Sequence, residues 1–409
     1  MNKSQSRESR RKFMKTAAIG AAAIGLTSTA DGAKKKIQGF DETNAGKLKN
    51  QPWKAVSDRK VRVGIVGYGV CRFGAAFGFQ DHPNVEVAAV SDLFPDRCAN
   101  LAKATRCKKT YPSLEEMVKD DSIEAIFLAT DAPNHAKHAM LCMNHGKHVG
   151  CAVPAVFGSL DDAEKLYQTV KKTGRKYMMF ETSAFRADNY AMRAAYRAGV
   201  FGKLIYTEGQ YYHYSRSQIG SYKKWRNGTP PMWYPTHSTA YDIAVTGGSF
   251  THVSCQGFRG KIAVFQPEAN RYKNPFDSEI ALFKTSGGGA SRMSVCWGMR
   301  GSHGETGRVH GELGNMVGTT LAGGDRKKLP NLDKPKLPPG MPGGGHGGSH
   351  GYLTEEFVTA LLLKREPLIN IAWSLNMTVP GVVAHQSALK DGELLKVPQY
   401  AWPPKRTGG

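Results

Sequence analysis

The sequence predicts an α/β protein of two domains, a parallel sheet covered by helices followed by an α+β domain with a large open, mainly antiparallel sheet. The chain has 409 residues, which is more than a single compact core usually holds. Strand-like and helix-like segments alternate from residue 61 to about residue 180, which is typical of a parallel sheet. Strand-like segments then follow one another between residues 205 and 313 with few helices between them, which predicts antiparallel pairing.

The composition excludes several classes of protein. Hydrophobic residues make up 40% and charged residues 22% of the chain, a globular balance that excludes disordered and collagen-like proteins. No apolar run reaches the length of a transmembrane helix, so we expect no integral membrane segment in the mature protein. The formal net charge is +22, but residues 1–60 alone hold 14 Lys and Arg against 5 Asp and Glu. The remaining basic excess is spread along the chain, so we expect no nucleic-acid partner.

Residues 1–30 resemble a twin-arginine (Tat) export signal. The pair Arg10-Arg11 precedes a weakly apolar run, residues 16–26, and a small-residue cleavage site that ends at Ala30. The alternative is a frayed, basic N-terminal helix. We expect cleavage after Ala30, an arm or linker over residues 31–60, the Tat export machinery as a partner, and a periplasmic or otherwise exported protein.

The cysteines predict neither a disulfide framework nor a metal site. There are 7 of them, an odd number, and they form no CxxC pair and no spacing typical of metal ligands. A protein that folds in the reducing cytoplasm before export can keep unpaired cysteines, so we expect these residues to be small, buried, apolar side chains.

The first predicted strand ends in a glycine-rich turn. Residues 61–66 are a β-branched run, and Gly67 and Gly69 lie between it and a helix-like stretch. The first glycine permits a tight turn, and the second lets a pyrophosphate approach the backbone at the start of the helix. The pattern predicts a Rossmann dinucleotide-binding domain over residues 61–182.

An acidic residue and an incomplete fingerprint refine that prediction. Asp92 ends the second predicted strand, 25 residues after Gly67, close to the spacing at which a carboxylate meets the adenosine ribose. Arg72 occupies the position of the third glycine, and Gly74 comes two residues later. Because a carboxylate repels a 2′-phosphate, we expect NAD as the cofactor. NADP is the less favoured alternative, since Arg97 lies nearby.

Three further residues lie near the carboxyl ends of predicted strands, where ligands of parallel sheets bind. Thr130 follows one strand, and Pro154 follows the next. His135 begins the helix after Thr130, and it either borders the nicotinamide ribose or lies on the surface face of that helix. We place all three in the predicted cofactor site together with Arg72 and the two glycines of the turn.

Several segments of this domain resemble the Gfo/Idh/MocA family of glucose–fructose oxidoreductase, inositol dehydrogenase and their relatives. They are Val63-Gly64-Ile65-Val66-Gly67, Ser91-Asp92, Ala129-Thr130 with His135, and Gly146-Lys147-His148-Val149. The resemblance runs from about Val61 to the end of the chain. It implies bound NAD(P), a sheet domain over residues 183–409, and a sugar or polyol as substrate. It also implies a homo-oligomer, because the sheet domain of this family commonly assembles dimers or tetramers.

The chain departs from the family at the motif that carries its catalytic lysine. Ala152-Val153-Pro154 stand where the family typically has Glu-Lys-Pro. A buried lysine next to a hydride acceptor can transfer a proton near neutral pH, and a valine cannot. The proline of the turn is kept, while the usual proton-handling group is absent.

The segment Tyr234-Pro235-Thr236-His237 resembles the NAD-dependent glycosidases of the family, typified by α-N-acetylgalactosaminidases. Those enzymes oxidise a sugar hydroxyl transiently, eliminate the aglycone, add water and return the hydride. Their Tyr and His lie in the active site, and Glu-Val-Pro replaces Glu-Lys-Pro. Val153 agrees with that variant and Ala152 does not. We predict His237 and Tyr234 as the catalytic, proton-handling residues.

Three other residues are candidate substrate contacts, and each has a structural alternative. Arg186 either touches substrate or forms a salt bridge at a helix start. Trp233 either stacks on a sugar or packs at a sheet surface or subunit interface. His346, in a glycine-rich loop, is either part of the site or solvated.

The predicted function rests on export combined with a cofactor domain. Outside the cytoplasm free NAD(P) is scarce, so the enzyme should hold its cofactor tightly and regenerate it within each turnover. We therefore expect an exported oxidoreductase that transfers hydride on a carbohydrate or polyol. One alternative is net glycoside hydrolysis by transient oxidation. Another is a non-catalytic nucleotide- or sugar-binding protein of the same fold, which Ala152 and Val153 support.

Overall fold

The structure, a computed structural model, describes residues 52–214, 220–301 and 303–403. The predicted signal peptide, residues 1–30, and most of the predicted arm lie outside the described residues. No helix in the described part of the chain is both long enough and apolar enough to cross a membrane.

The first domain contains a six-stranded parallel sheet in the order β3-β2-β1-β4-β5-β6. Its strands are β1 (Val61–Val66), β2 (Val85–Ser91), β3 (Thr110–Tyr111), β4 (Ala125–Leu128), β5 (His148–Cys151) and β6 (Tyr177–Met179). This order is that of a Rossmann sheet, whose ligand crevice lies at the carboxyl ends of β1 and β4, where the strand order reverses. The predicted fold class is confirmed.

The helices of this domain connect successive strands, as the alternation predicts. They are α1 (Phe73–Ala76), α2 (Pro95–Thr105), α3 (Leu114–Met117), α4 (His135–Asn144) and α5 (Leu160–Thr173). Ser113 and Ser159 accept hydrogen bonds from backbone N–H groups of the first turns of α3 and α5, the caps that the sequence indicates. β1 and β4 are almost wholly buried because helices cover both faces of the sheet.

The second domain contains an eight-stranded sheet in the order β13-β12-β11-β7-β10-β9-β8-β14. Its strands are β7 (Leu204–His213), β8 (Phe250–Phe258), β9 (Ser278–Thr285), β10 (Ala290–Cys296), β11 (His303–Gly311), β12 (Gly314–Val317), β13 (Thr320–Gly323) and β14 (Leu395–Lys396). The pairs are antiparallel except that β10 runs parallel to β7, so the sheet is mixed and mainly antiparallel.

In the described part of the chain, four helices of 11 or more residues accompany this sheet, and two of them are not predicted from the sequence. They are α6 (Ala187–Arg197), α7 (Thr236–Thr246), α8 (His350–Leu362) and α9 (Ile371–Ala388). Every residue of α7 except Thr246 is buried, and α9 contains Pro380. Helices buried on all sides lack the one-sided apolar stripe that identifies a surface helix in a sequence.

The two domains share one hydrophobic core, which extends from β1 and β4 to α7, α8 and α9. The 7 cysteines are free, and 5 of them are buried as predicted, whereas Cys71 is exposed and Cys107 is half-buried. At the end of the predicted arm, the indole N–H of Trp53 donates to Glu355 on α8 at 3.0 Å. This contact attaches the start of the described chain to the second domain.

Candidate functional site

The turn after β1 is shaped by two glycines. Gly67 has a φ of +102°, and a Cβ there would lie 2.3 Å from the carbonyl oxygen of Ala129. At Gly74 in α1, a Cβ would lie 2.4 Å from the carbonyl oxygen of Gly67. Gly74 therefore permits the close packing of helix on strand that the third glycine of the fingerprint provides. The sequence leaves this role unassigned, because Gly74 is two residues out of register.

The second glycine of the turn faces open space. A Cβ added to Gly69 would meet no atom within 4 Å, so the backbone is accessible to a ligand there. Arg72 adopts a left-handed conformation, φ +50°, immediately before α1. This backbone, with its glycine at the point of approach, suits a pyrophosphate.

Asp92 is tied to the same turn. One carboxylate oxygen accepts the backbone N–H of Tyr68 at 2.7 Å and the other that of Phe94 at 2.9 Å. A carboxylate has about four lone-pair sites, so it can still accept hydroxyl groups of a ribose. The guanidinium of Arg97 lies 4.3 Å from the ring centre of Phe94, at the same end of the crevice.

These groups line a cavity of about 500 Å³ between the two domains. Six of the seven predicted cofactor residues line it, namely Gly67, Gly69, Arg72, Asp92, Thr130 and His135. Ala152 and Val153 line it from the end of β5, and Tyr234 lines it from the second domain. The structure therefore brings the predicted cofactor residues and one predicted catalytic residue to a single cavity.

His135 and Pro154 support the wall of this cavity. Nδ1 of His135 lies 2.8 Å from the carbonyl oxygen of Pro154, and Nε2 lies 3.2 Å from that of Thr130. The ring is buried, and burial lowers its pKa. His135 thus links the segments that follow β4 and β5, so it does not lie on a surface helix face. Pro154 is not a lining residue, and its carbonyl group holds the imidazole.

Tyr234 lines the cavity from the second domain. Its ring lies nearly parallel to that of Trp225, with centres 6.4 Å apart, and the guanidinium of Arg226 lies 5.7 Å from its centre. Burial raises the pKa of Tyr234 to about 12, so its hydroxyl group keeps its proton at neutral pH. Val153 supplies no titratable group, so Tyr234 is the hydroxyl donor at this wall.

His237 lies next to Tyr234, with ring centres 5.6 Å apart, at the start of α7. Its Nδ1 donates to Oε1 of Glu181 at 2.7 Å, and Oε1 of Glu305 lies 3.9 Å away. Glu181 follows β6 and is fully buried, while Glu305 comes from β11. Both carboxylates are therefore brought to the imidazole by strands distant in sequence.

The two carboxylates set the charge of His237. Burial alone would lower its pKa, but the charges of Glu181 and Glu305 outweigh burial and raise it to about 9. Burial alone would raise the pKa of Glu181, and the charge and hydrogen bond of His237 outweigh it, so that pKa is lowered. At neutral pH the site therefore holds an imidazolium beside carboxylates, which is an arrangement that can donate a proton.

Arg186 lies on the far side of Glu305. Its Nη1 is 3.9 Å from Oε2 of Glu305, and its Nε is 3.6 Å from Asp188. Ser183 donates to Oε2 of Glu305 at 2.8 Å. The helix-start salt bridge expected as the alternative for Arg186 is present, and the same side chain reaches the carboxylate that faces His237.

The two other predicted substrate residues occupy different places. The rings of His346 and His237 are nearly parallel, with centres 6.3 Å apart, so the structure brings His346 to the site. Trp233 packs edge-on against Phe157, Tyr272 and His385. Its contacts are those of the packing alternative.

Glu181 and Glu305 are the site residues that the sequence analysis missed. Glu181 does carry a signal, because it directly follows a buried strand of the parallel sheet, at the end where ligands bind. No signal in the sequence points to Glu305, since its place in the site depends on how β11 pairs with β7. Ala152 thus supplies no carboxylate to this site, but Glu181 and Glu305 do.

Comparison with known proteins identifies the first domain. Residues 61–181 match the Gfo/Idh/MocA family model, described as an oxidoreductase family with an NAD-binding Rossmann fold. Over residues 61–181 this match confirms the resemblance inferred from the sequence motifs, and it agrees with the predicted NAD(P)-binding Rossmann domain.

Similar curated proteins are glycosyl hydrolases by name. Glycosyl hydrolase family 109 protein 1 of Bacteroides fragilis (strain YCH46) is 32% identical over 162 residues, which cover 37% of this chain and 35% of that protein. A glycosyl hydrolase family 109 protein of Saccharopolyspora erythraea is 26% identical over 248 residues, 56% of this chain and 53% of that protein. The chain thus spans between about a third and a half of the length of these relatives.

Two similar solved structures are dehydrogenases by title. Levoglucosan dehydrogenase in complex with NADH and levoglucosan superposes with a TM-score of 0.69 at 16% identity, over 83% of this chain and 100% of that chain. The apo scyllo-inositol dehydrogenase of Lactobacillus casei gives a TM-score of 0.65 at 15% identity, over 83% and 99%. At these identities the similarity shows the two-domain fold.

Proposed function

We propose that this protein is an exported oxidoreductase that holds NAD(H) tightly and transfers hydride on a carbohydrate or polyol. The observation that carries the proposal is that the cofactor cavity adjoins the acid–base cluster around His237. The cavity lined by Gly69 and Asp92 ends at Tyr234, and Tyr234 contacts the cluster of His237, Glu181 and Glu305. Cofactor residues of one domain thus adjoin acid–base residues of the other, as hydride transfer requires.

The residues of the cavity fit NAD. Gly69 leaves room for a pyrophosphate, and the carboxylate of Asp92 has lone pairs for ribose hydroxyls and repels a 2′-phosphate. When bound, the nicotinamide supplies the acceptor and donor of hydride. The chain itself supplies the binding surface, the exclusion of water and the proton handling.

The proton-handling roles are set by the charge of each group. His237, protonated at neutral pH, can donate a proton to an oxygen of the substrate, and Glu181 and Glu305 stabilise its charge. Tyr234 keeps its proton and orients the substrate hydroxyl group by hydrogen bonding. Val153 lines the cavity but carries no titratable group, so it cannot do the work of the lysine in the usual family motif.

Export is part of the proposal because it constrains the chemistry. The Arg10-Arg11 signal predicts a twin-arginine route, which carries folded proteins. A protein folded around its dinucleotide before export needs no external supply, provided that each turnover returns the hydride. We propose that the mature protein works in this closed cycle, as a homo-oligomer.

Net glycoside hydrolysis is the second candidate, favoured by the family 109 glycosyl hydrolases among its relatives. In this reaction the hydride leaves and returns to the same sugar, so the cofactor is regenerated without a second substrate. Elimination of the aglycone needs an acid for the departing oxygen, and His237 is protonated for that role. The two candidates share the first oxidation and differ only in the later steps.

One experiment separates them. The purified protein is incubated with sugars, polyols and p-nitrophenyl glycosides, while reduced nicotinamide and released p-nitrophenol are followed. Release of p-nitrophenol in D₂O with deuterium in the product sugar supports the hydrolytic cycle, because elimination exchanges a C–H proton with solvent. Reduction of bound cofactor without release supports the oxidoreductase. If no compound gives either signal, both candidate functions are contradicted, and a non-catalytic binding protein remains.

Two substitutions in the cavity wall serve as matched variants. Ala152→Glu and Val153→Lys each place one family side chain into the cavity. A gain of dehydrogenase turnover in Val153→Lys alone would identify the lost lysine as the limiting group. His237→Gln should abolish either activity while leaving dinucleotide binding intact, since His237 does not line the cavity.

A further inference from the structure

Two histidines of the glycine-rich loop form a hydrogen-bonded relay. Nδ1 of His350 lies 3.1 Å from the carbonyl oxygen of Ala76, and Nε2 of His350 lies 2.8 Å from Nδ1 of His346. A carbonyl group only accepts hydrogen bonds, so Nδ1 of His350 carries a proton. Burial, followed by the charge of His346, lowers the pKa of His350 to about 4, so the ring is neutral and its Nε2 is an acceptor.

The direction of the relay fixes the tautomer of His346. Because Nε2 of His350 accepts, Nδ1 of His346 must donate, and a neutral imidazole has only one N–H. The lone pair of His346 therefore lies on Nε2. Desolvation by neighbouring groups, followed by the charge of His237, lowers the pKa of His346, which keeps this ring neutral.

The loop is built around His350. A Cβ added to Gly344 would lie 2.8 Å from Cβ of His350, and one added to Gly345 would lie 2.9 Å from Cε1 of its imidazole, so glycines allow this close approach. His346 itself has a φ of +49°, a conformation that costs a residue with a side chain about 1 kcal/mol or more. Strain of this kind persists only where the surrounding structure enforces it.

His346 stands between the cofactor cavity and the acid of the site. Its ring centre lies 5.8 Å from that of Phe73, which lines the cavity, and 6.3 Å from that of His237. The charged groups that face it are His237, Glu181, Glu305 and Arg186. The imidazolium of His237 and the neutral imidazole of His346 thus lie face to face. Two groups of one site whose pKa values are shifted in opposite directions indicate an acid and a base.

We propose that His346 is the general base of the hydride-transfer step and that His350 is the positioning residue that holds its Nε2 free of a proton. This inference rests on the proposed function and adds the base that the motif at Val153 lacks. In the step, the O–H bond of a substrate hydroxyl breaks and its proton forms an N–H bond with Nε2 of His346. A bound dinucleotide would supply the acceptor for the hydride that leaves the same carbon, so that a carbonyl group would remain on the substrate. The reverse step restores all three.

The first test determines the tautomer of His346 by NMR and needs no catalytic turnover. Imidazole nitrogens are labelled with ¹⁵N, and the signals of His346 are assigned by their loss in His346→Gln. The proposal predicts a protonated Nδ1 and an unprotonated Nε2 in the wild-type protein at neutral pH. It predicts loss of this single tautomer in His350→Phe, which keeps a ring against Phe77 but offers no acceptor. His145→Phe, an exposed site, should leave the signals of His346 unchanged.

The second test reads catalysis. Loss of the relay in His350→Phe should lower kcat by between about 10-fold and 10⁴-fold. This is the range found in other enzymes for residues that orient a reacting imidazole. It should leave NAD binding unchanged, and His350→Gln, whose amide oxygen can accept from Nδ1, should recover part of kcat. A wild-type His346 protonated on Nε2 would overturn the inference even in an active enzyme. An inactive protein with the predicted tautomer would instead contradict the proposed function.

Discussion

The charge of His237 depends on Glu181, and Glu181→Gln tests that dependence. The substitution keeps the size of the side chain and an oxygen that can accept the N–H of Ser183, but it removes one negative charge. Raising the pKa of His237 from 6.5 to about 9 corresponds to roughly 3 kcal/mol in favour of the protonated ring, at about 1.4 kcal/mol per pKa unit. This net figure is a lower bound for the two carboxylates together, because they also overcome burial.

The share of Glu181 is set by distance. Coulomb energy falls as the inverse of separation, and the carboxylate oxygens lie 2.7 Å and 3.9 Å from Nδ1. Glu181 therefore contributes about three-fifths of the attraction, or at least about 2 kcal/mol. We expect Glu181→Gln to make the imidazolium at least about 30-fold more acidic, and Glu305→Gln to have a smaller effect.

The assay is a titration of the His237 ring by NMR, with unfolding by urea at each pH as an independent measure. A raised pKa contributes stability that is complete below pH 6.5 and is lost as the pH rises through about 9. The wild-type protein should therefore lose stability over this range, and Glu181→Gln should lose less. An unchanged titration in Glu181→Gln, or a larger effect of Glu305→Gln, would refute the reasoning.

Three further predictions concern the cofactor cavity and the loop. Gly74→Ala should destabilise the protein by about 1–3 kcal/mol in urea unfolding, because its Cβ meets the carbonyl oxygen of Gly67; Gly69→Ala should leave stability unchanged and weaken NAD binding in calorimetry. Asp92→Asn should raise the affinity for NADP relative to NAD by about tenfold, since it removes the charge that repels a 2′-phosphate; an unchanged ratio in a fluorescence titration would contradict this role. Lys334→Met should cost about 1.5–3 kcal/mol and speed hydrogen exchange around Gly348, because the ammonium group donates to the carbonyl oxygens of Phe185 and Gly348 at 3.0 Å and 2.9 Å.

The first domain is the part that the sequence predicts best. Its strands are short apolar runs separated by helix caps and turn residues, and each signal is local. The cavity residues from Gly67 to His135 are accessible to prediction for the same reason, since they come directly after predicted strands. Gly74 is the instructive exception, because a role in helix packing becomes visible only when the helix and the strand are seen in contact.

The second domain and the acid–base cluster depend on contacts between distant segments. α7 is buried among strands and shows no apolar stripe, so the sequence places His237 but not the helix that carries it. Glu305 reaches the imidazole through the pairing of β11 with β7, a register that no local pattern specifies. The role of His350 likewise depends on the carbonyl group of Ala76, some 274 residues away in the chain.

The central claim is that this chain holds a dinucleotide and returns its hydride within one active site. The most direct measurement is the dinucleotide content of the purified protein, unfolded and analysed by mass spectrometry. We predict near-stoichiometric NAD and NADH, with little NADP, retained through purification. Absence of any dinucleotide, together with no binding of added NAD⁺ or NADP⁺ by calorimetry, would contradict it.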